Sequence, residues 1–243
     1  MNLIIDIGNS TAKVAFFSEG DLVDCVRMET AGLARFVEAD ERVGQCECCI
    51  VSSTIIVDAP LRAAIETGRR VLWLSGETPL PFVNDYRSPQ TLGSDRVAAV
   101  AGALKQWPGE DVLVVDAGSC VTYDVLTAGG HYAGGNIAPG LQMRLSAMHD
   151  YTARLPRVAA EGELPQLGTD TLTAMRAGAL RGMQFETEGY IHYLNNRCGR
   201  VKVVLTGGDS DQLKNLLAET VAHDAYLVLR GLDFILQYNE EKF

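Results

Sequence analysis

Short apolar runs separated by small polar clusters dominate the first half of the chain. Leu3-Ile4-Ile5 leads to Asp6, a turn at Gly8-Asn9-Ser10, and a second apolar run, Val14-Ala15-Phe16-Phe17. That pattern predicts a β-hairpin ending near Phe17, with a small, polar tip rich in backbone N–H groups. Ser18-Glu19-Gly20-Asp21 then turns the chain into a third strand, Leu22 to Met28. Helical spacing follows from Ala31 to Asp40, a buried strand from Cys48 to Ser53, a helix from Ile56 to Gly68 with Pro60 in its first turns, and a strand from Val71 to Leu74. Residues 75–92 carry Pro79, Pro81 and Pro89 with few periodic apolar positions, the pattern of a long loop and therefore a candidate functional one. Gly93-Ser94-Asp95-Arg96 opens a helix over Val97 to Gln106, closed by Trp107-Pro108-Gly109.

The order then repeats. Asp111 to Asp116 and Cys120 to Leu126 predict a second hairpin, and a turn at 127–130 leads to a third strand near His131 to Ile137. Asp116 and Gly118 fall 110 residues after Asp6 and Gly8, each aspartate preceded by apolar residues. A helix is expected from Pro139-Gly140 to about Ala153, and a Pro/Gly-punctuated loop from Leu155 to Gly168. A long helix follows from Asp170 to Asn196, with Thr169 or Asp170 as N-cap. A buried strand, Val201 to Leu205, ends in Thr206-Gly207-Gly208-Asp209, and helices from about Asp211 and Leu229 close the chain. The expected fold is α/β: two similar lobes, residues 1–109 and 110–243, each a mixed sheet led by a three-stranded meander with flanking helices. The repeat would place Asp6 and Asp116 on facing hairpins across one cleft.

At 243 residues, 47% hydrophobic and 21% charged, the chain has the make-up of a globular protein large enough for one or two domains. A net charge of −10 argues against nucleic acid as the main partner. No apolar run reaches the ~18 residues of a membrane span. The N-terminus enters a strand at once, without a basic leader, so a cytoplasmic location is expected. The Cys46-Glu47-Cys48-Cys49 cluster admits a metal reading, but small apolar residues entering a buried strand is favoured.

Four constellations carry candidate chemistry. The two hairpins offer backbone amides at Gly8, Asn9, Ser10 and Gly118 and hydroxyls at Ser10, Thr11, Ser119 and Thr122, which suit phosphate oxygens. Asp6 suits a magnesium ion through water, while Lys13 either reaches a phosphate or faces solvent. Gly93-Ser94-Asp95-Arg96 reads first as capping, with Ser94 as N-cap and Asp95 favoured by the helix dipole. An acid there would equally serve as proton acceptor for a substrate hydroxyl, and Arg96 would hold a carboxylate in a bidentate contact. Thr206-Gly207-Gly208-Asp209 is either a ring-accepting turn or an ordinary strand-to-helix turn, and Gly134 to Gly140 either admits substrate or simply turns the chain. The histidines show no metal-ligand spacing, and His149 with Asp150 reads as surface.

Taken in order along the chain, these residues resemble the type III pantothenate kinases, a family of the sugar-kinase, heat-shock chaperone and actin superfamily built on ribonuclease H-like lobes. The motifs are DIGNSTAK from Asp6 to Lys13, the run from Tyr86 through Gly93-Ser94-Asp95-Arg96, DAGSCVTYD from Asp116, GGNIAPGL from Gly134, ARLP from Ala153, Gly168 to Thr171, and TGGD from Thr206. The resemblance implies ATP-dependent phosphorylation of pantothenate to 4′-phosphopantothenate, the first step toward coenzyme A. It implies Asp95 as the proton acceptor, and a pantothenate site of Tyr86, Gly93, Ser94, Asp95, Arg96 and Thr171. Asp6, Ile7, Gly8, Asn9, Ser10, Thr11, Ala12, Lys13 and Ser119 would bind ATP with Mg2+. Asp116 would hold a monovalent cation, K+ or NH4+. A homodimer is implied, with Thr171 at or across its interface. In Asp116-Ala117-Gly118-Ser119-Cys120 the family's usual Asp-x-Gly-Thr-Ala is altered; serine keeps the hydroxyl and Cys120 adds bulk. The alternatives are another small-molecule kinase of the superfamily and a non-catalytic regulator that keeps the fold.

Overall fold

The computed structural model describes residues 1–9 and 11–240. They group into two compact units. The first takes residues 1–108, Gly130–Tyr132 and the C-terminal stretch from Tyr226; the second takes Gly109–Gly129 and Ala133–Ala225.

In the first unit, β1 (Asn2–Ile7), β2 (Thr11–Ser18) and β3 (Asp21–Glu29) form the expected meander, and β4 (Cys48–Ser53) and β5 (Arg70–Trp73) complete a sheet of order β3-β2-β1-β4-β5. β1 pairs antiparallel with β2 and parallel with β4. Successive strand residues face opposite sides. Leu3, Ile5 and Ile7 therefore share a core with Leu33, Val37 and Ile65 of α1 (Leu33–Ala39) and α3 (Ala59–Glu66), while Ile4 and Asp6 turn to the other face. The helical spacing expected over residues 31–40 is a short turn, Thr30–Gly32, running into α1, which ends at Asp40 as its C-cap. The Asp40 carboxylate accepts from Arg42 N and caps a separate short helix, α2 (Glu41–Gly44). The helix expected from Ile56 starts later because Asp58 caps it, accepting from Leu61 N. The 75–92 loop contains one short strand, β6 (Val83–Asn84), which pairs with His131 and Tyr132 at the start of β9 (His131–Pro139). Cys46, Cys48 and Cys49 are buried, and among the described residues no metal-holding group of His, Cys, Asp or Glu gathers.

The second face of that sheet is covered by α8 (Leu227–Asn239), which touches β1 and β4 and crosses α4 (Ser94–Gln106). Two glycines set the crossing. A side chain at Gly231 would run into Ala98 O, and one at Gly102 into Leu227 O. Asp233 of α8, fully buried, accepts from Asn2 Nδ2 at 3.1 Å and Gln237 Nε2 at 2.6 Å and lies 3.5 Å from Lys105 Nζ. Those partners supply the hydrogen bonds a buried carboxylate requires.

The second unit repeats the plan. β7 (Val112–Ala117), β8 (Cys120–Leu126) and β9 form its meander, and β10 (Lys202–Thr206) and β11 (Ala222–His223) extend it in the order β11-β10-β7-β8-β9. Counted from each leading hairpin, both units have third, second, first, fourth and fifth strands side by side, the ribonuclease H-like order. Leu113, Val115, Tyr123 and Leu205 pack with Leu141 and Leu145 of α5 (Leu141–Asp150) and Leu180, Met183 and Ile191 of α6 (Thr171–Cys198). α7 (Ser210–Lys214) follows the TGGD turn.

Candidate active site

The site in the first unit is built on sheet register. Asp6 stands opposite Lys13 on β2 and level with Ser52 on β4. Cross-strand partners share a face, so Lys13 lies on the side of Asp6. The hairpin tip is closed by Gly8 N donating to Thr11 O at 3.0 Å, and a side chain at Gly8 would press on that oxygen at 2.9 Å. Thr30 Oγ1 donates to Gly8 O and Thr54 N to Ile7 O, fixing the tip from two sides. Ser10 lies outside the described residues.

The same face meets the start of α4. Ser52, fully buried, shares a hydrogen bond with Ser94 Oγ at 2.9 Å. Ser94 is not the N-cap that its residue type suggests. Gly93 holds that position, with no side-chain cap, and Ser94 is the first helical residue, its hydroxyl turned to β4. The Asp95 carboxylate folds back over the helix start: Oδ1 accepts from Arg96 N at 2.8 Å, and a side chain at Gly93 would collide with it. Asp6 therefore sits among Lys13, Ser52 and the charge of Asp95. Burial chiefly raises its pKa, Lys13 opposes this, Asp95 adds to it, and the Ser52 hydrogen bond lowers it. A cavity of about 350 Å3 adjoins this corner, lined in part by Ser53, Ser75, Asn84, Thr91, Gly93 and Ser94.

Arg96 and Tyr86 come together. Arg96 is 4% exposed, its Nη2 donates to Tyr132 Oη at 2.8 Å, and its Cζ stands 5.7 Å from the centre of the Tyr86 ring. Tyr86 and Tyr132 rings lie 6.0 Å apart. Neither Tyr132 nor Ser52 is signalled by a motif. Ser52 follows from alternation along β4 once the register with Asp6 is known, whereas Tyr132 has no local signal.

In the second unit Asp116 stands opposite Thr122 and level with Thr206. Gly118 N donates to Cys120 O at 2.9 Å, and Gly140 N to Ser119 O at 3.1 Å. Gly207 has φ +93°, and a side chain there would run into Asp116 Oδ1 and Ala117 O. Only glycine lets the TGGD turn approach this strand end so closely. Asp209 N donates to Ala117 O, and burial raises the Asp209 pKa. Thr122 Oγ1 is buried beside Asp116 and finds no hydrogen-bond partner among the described residues. Ser119 is exposed on the hairpin turn, and Thr171 is exposed in the first turn of α6.

Two ribonuclease H-like units, each with a carboxylate at the end of its first strand and a tight polar turn beyond it, give the chain the fold of the actin-like kinases. The family model described as type III pantothenate kinase matches residues 2–193. A type III pantothenate kinase from Phocaeicola vulgatus is 46% identical over 99% of this chain and 100% of its own length. A solved Campylobacter jejuni structure of the Baf family has a TM-score of 0.64 at 24% identity, covering 98% of this chain and 99% of that one. The activator of 2-hydroxyisocaproyl-CoA dehydratase from Clostridium difficile, solved with bound ADPNP, has a TM-score of 0.52 at 13% identity, covering 99% and 94%. The chain belongs to the type III pantothenate kinase family.

Proposed function

We infer that the chain transfers the γ-phosphate of ATP to the primary hydroxyl of pantothenate, giving 4′-phosphopantothenate, the first step of coenzyme A biosynthesis. Family membership over most of the chain carries the reaction. One observation carries the residue roles: the Asp95 carboxylate stands at a helix start without a side-chain cap, tied through Ser94 and Ser52 to the strand that bears Asp6.

Asp95 accepts the hydroxyl proton as the oxygen attacks phosphorus in line. Positioning it on the first turn of α4, rather than on a loop, limits its wander. Tyr86, Gly93, Ser94 and Arg96 line the acceptor site, and Arg96 meets the carboxylate of pantothenate. The amides and hydroxyls of Asp6 to Lys13 are assigned to the ATP phosphates, with Lys13 adding a positive charge on the Asp6 face, and Ser119 is likewise assigned to ATP. Asp6 would hold the Mg2+ of ATP, which would supply charge neutralisation at the phosphates.

Asp116 is assigned the monovalent cation. The donor chemistry fits: one carboxylate beside a buried hydroxyl, Thr122 Oγ1, in need of a partner. The choice of K+ or NH4+ follows the family resemblance. The chain is assigned a cytoplasmic homodimer with Thr171 contributing at the interface. Exposed Leu172, Phe185 and Tyr193 along α6 support that association. Among the described residues no helix is long and apolar enough to cross a membrane.

The test is ADP release with and without pantothenate, in K+ or NH4+ and again in a large organic cation. Pantothenate-dependent turnover that requires the small cation is expected. Equal turnover with and without pantothenate would remove the substrate assignment.

A further inference from the structure

We propose that Tyr132 is a positioning residue that gives the enzyme its selectivity for a carboxylate-bearing acceptor, by holding the Arg96 guanidinium in one orientation. The proposal rests on Arg96 meeting the acceptor carboxylate.

Tyr132 is 1% exposed, so its hydroxyl lies inside the protein, where it accepts from Arg96 Nη2 at 2.8 Å. A buried guanidinium needs its donors satisfied, and a bidentate contact with a carboxylate needs its plane set in advance. Anchoring one terminal nitrogen on a fixed phenol sets that plane. The phenol itself is held on three sides. Its backbone pairs with Asn84 in the short β6–β9 ladder. Phe82 meets its ring edge-on at 6.3 Å, and Tyr86 lies across it at 6.0 Å. Phe82, Asn84 and Tyr86 are alternate residues of one segment, so Tyr132 organises the segment that delivers Tyr86 as well as the arginine beneath it. Asn84 Oδ1 accepts from Tyr86 N at 3.0 Å, which ties the backbone at Tyr86 to the strand that pairs with Tyr132. Asp85 N donates to Tyr132 O at 3.2 Å and closes the ladder.

Tyr132→Phe keeps the ring that packs on Phe82 and Tyr86 and removes the hydroxyl that orients Arg96, so its effect falls on an acceptor with a carboxylate. The experiment is steady-state kinetics of Tyr132→Phe on pantothenate and on its neutral analogue, in which a primary alcohol replaces the carboxylate. KM for pantothenate is expected to rise about tenfold. The kcat and the KM for ATP are expected to stay within about twofold of wild type, and the analogue's kcat/KM likewise. Phe82→Leu, which removes the edge contact and keeps the hydroxyl, is expected to show the same selective rise at smaller size; it carries the test if Tyr132→Phe folds poorly. Equal losses on both acceptors, a matching rise in KM for ATP, or no change on pantothenate would overturn the proposal. Failure of the wild type to use pantothenate at all would instead overturn the functional reading beneath it.

Discussion

At the start of α6 the Asp170 carboxylate accepts from the backbone N of Leu172 and Thr173 at 2.9 and 3.0 Å, and Thr173 Oγ1 donates to its other oxygen at 2.8 Å. At the start of α4 no side chain caps the helix: Gly93 holds the cap position and Asp95 sits inside the first turn. Both starts join a small hydroxyl residue to an aspartate, and residue type alone reads both as caps. The difference lies in where each carboxylate stands. At α6 it occupies the cap position and is saturated by the backbone, which lowers its pKa. At α4 the acid is displaced by two residues from the cap position, and the serine whose residue type suits capping is bonded to Ser52 instead. One helix start is capped by its aspartate; at the other the aspartate is left to the role proposed for it.

Four substitutions probe that contrast. Asp6→Asn removes the carboxylate on the α4 side of the sheet, and kcat is expected to fall about a hundredfold through loss of charge stabilisation at the phosphates. The same change is expected to raise the melting temperature at neutral pH. The folded-state pKa of Asp6 is raised above its ordinary 3.8, so its contribution to stability is full below that value and is lost as pH rises through the folded pKa. The gain from Asn should therefore shrink as the pH of the melt is lowered toward the ordinary carboxylate range. An Asp6→Asn chain less stable than wild type at neutral pH would break this electrostatic picture.

Gly93→Ala is a local change, since φ −57° suits any residue, but the new methyl group collides with Asp95 Oδ1. Displacing the carboxylate is expected to cost about tenfold or more in kcat with little change in the thermal melt. Asp170→Ala should reverse the pattern: a melting temperature lower by about 2–4 °C and kcat within about threefold of wild type. Because the Asp170 pKa is lowered, its contribution is present above the ordinary carboxylate range and is lost as pH falls through the folded value, so the difference from Ala should vanish in acid. Ser94→Ala is the smallest. The loss of one shared hydroxyl contact with Ser52 is expected to change kcat less than about threefold, as turnover assays would show.

Much of the fold is legible in the order of residues. The paired hairpins repeat with an apolar run, an aspartate and a glycine in fixed register, and the strand periods at 48–53 and 120–126 coincide with β4 and β8. The motifs of the proposed nucleotide and acceptor sites can be picked out in the sequence, because turns and helix starts need particular residue types locally. What is not visible depends on contacts far apart in the chain. Gly102 and Gly231 read as ordinary helical glycines until α4 and α8 are seen to cross there. Ser94 reads as a cap until the register of β4 brings Ser52 beneath it. Tyr132 reads as one more apolar strand residue until Arg96 is found against its hydroxyl.

The most direct measurement is single-turnover formation of 4′-phosphopantothenate at saturating MgATP and pantothenate, wild type against Asp95→Asn, with the thermal melt of each chain recorded in parallel. The expected result is a transfer rate lower by about a thousandfold with the melting temperature nearly unchanged. A transfer rate within about threefold of wild type would contradict the role of Asp95 as proton acceptor.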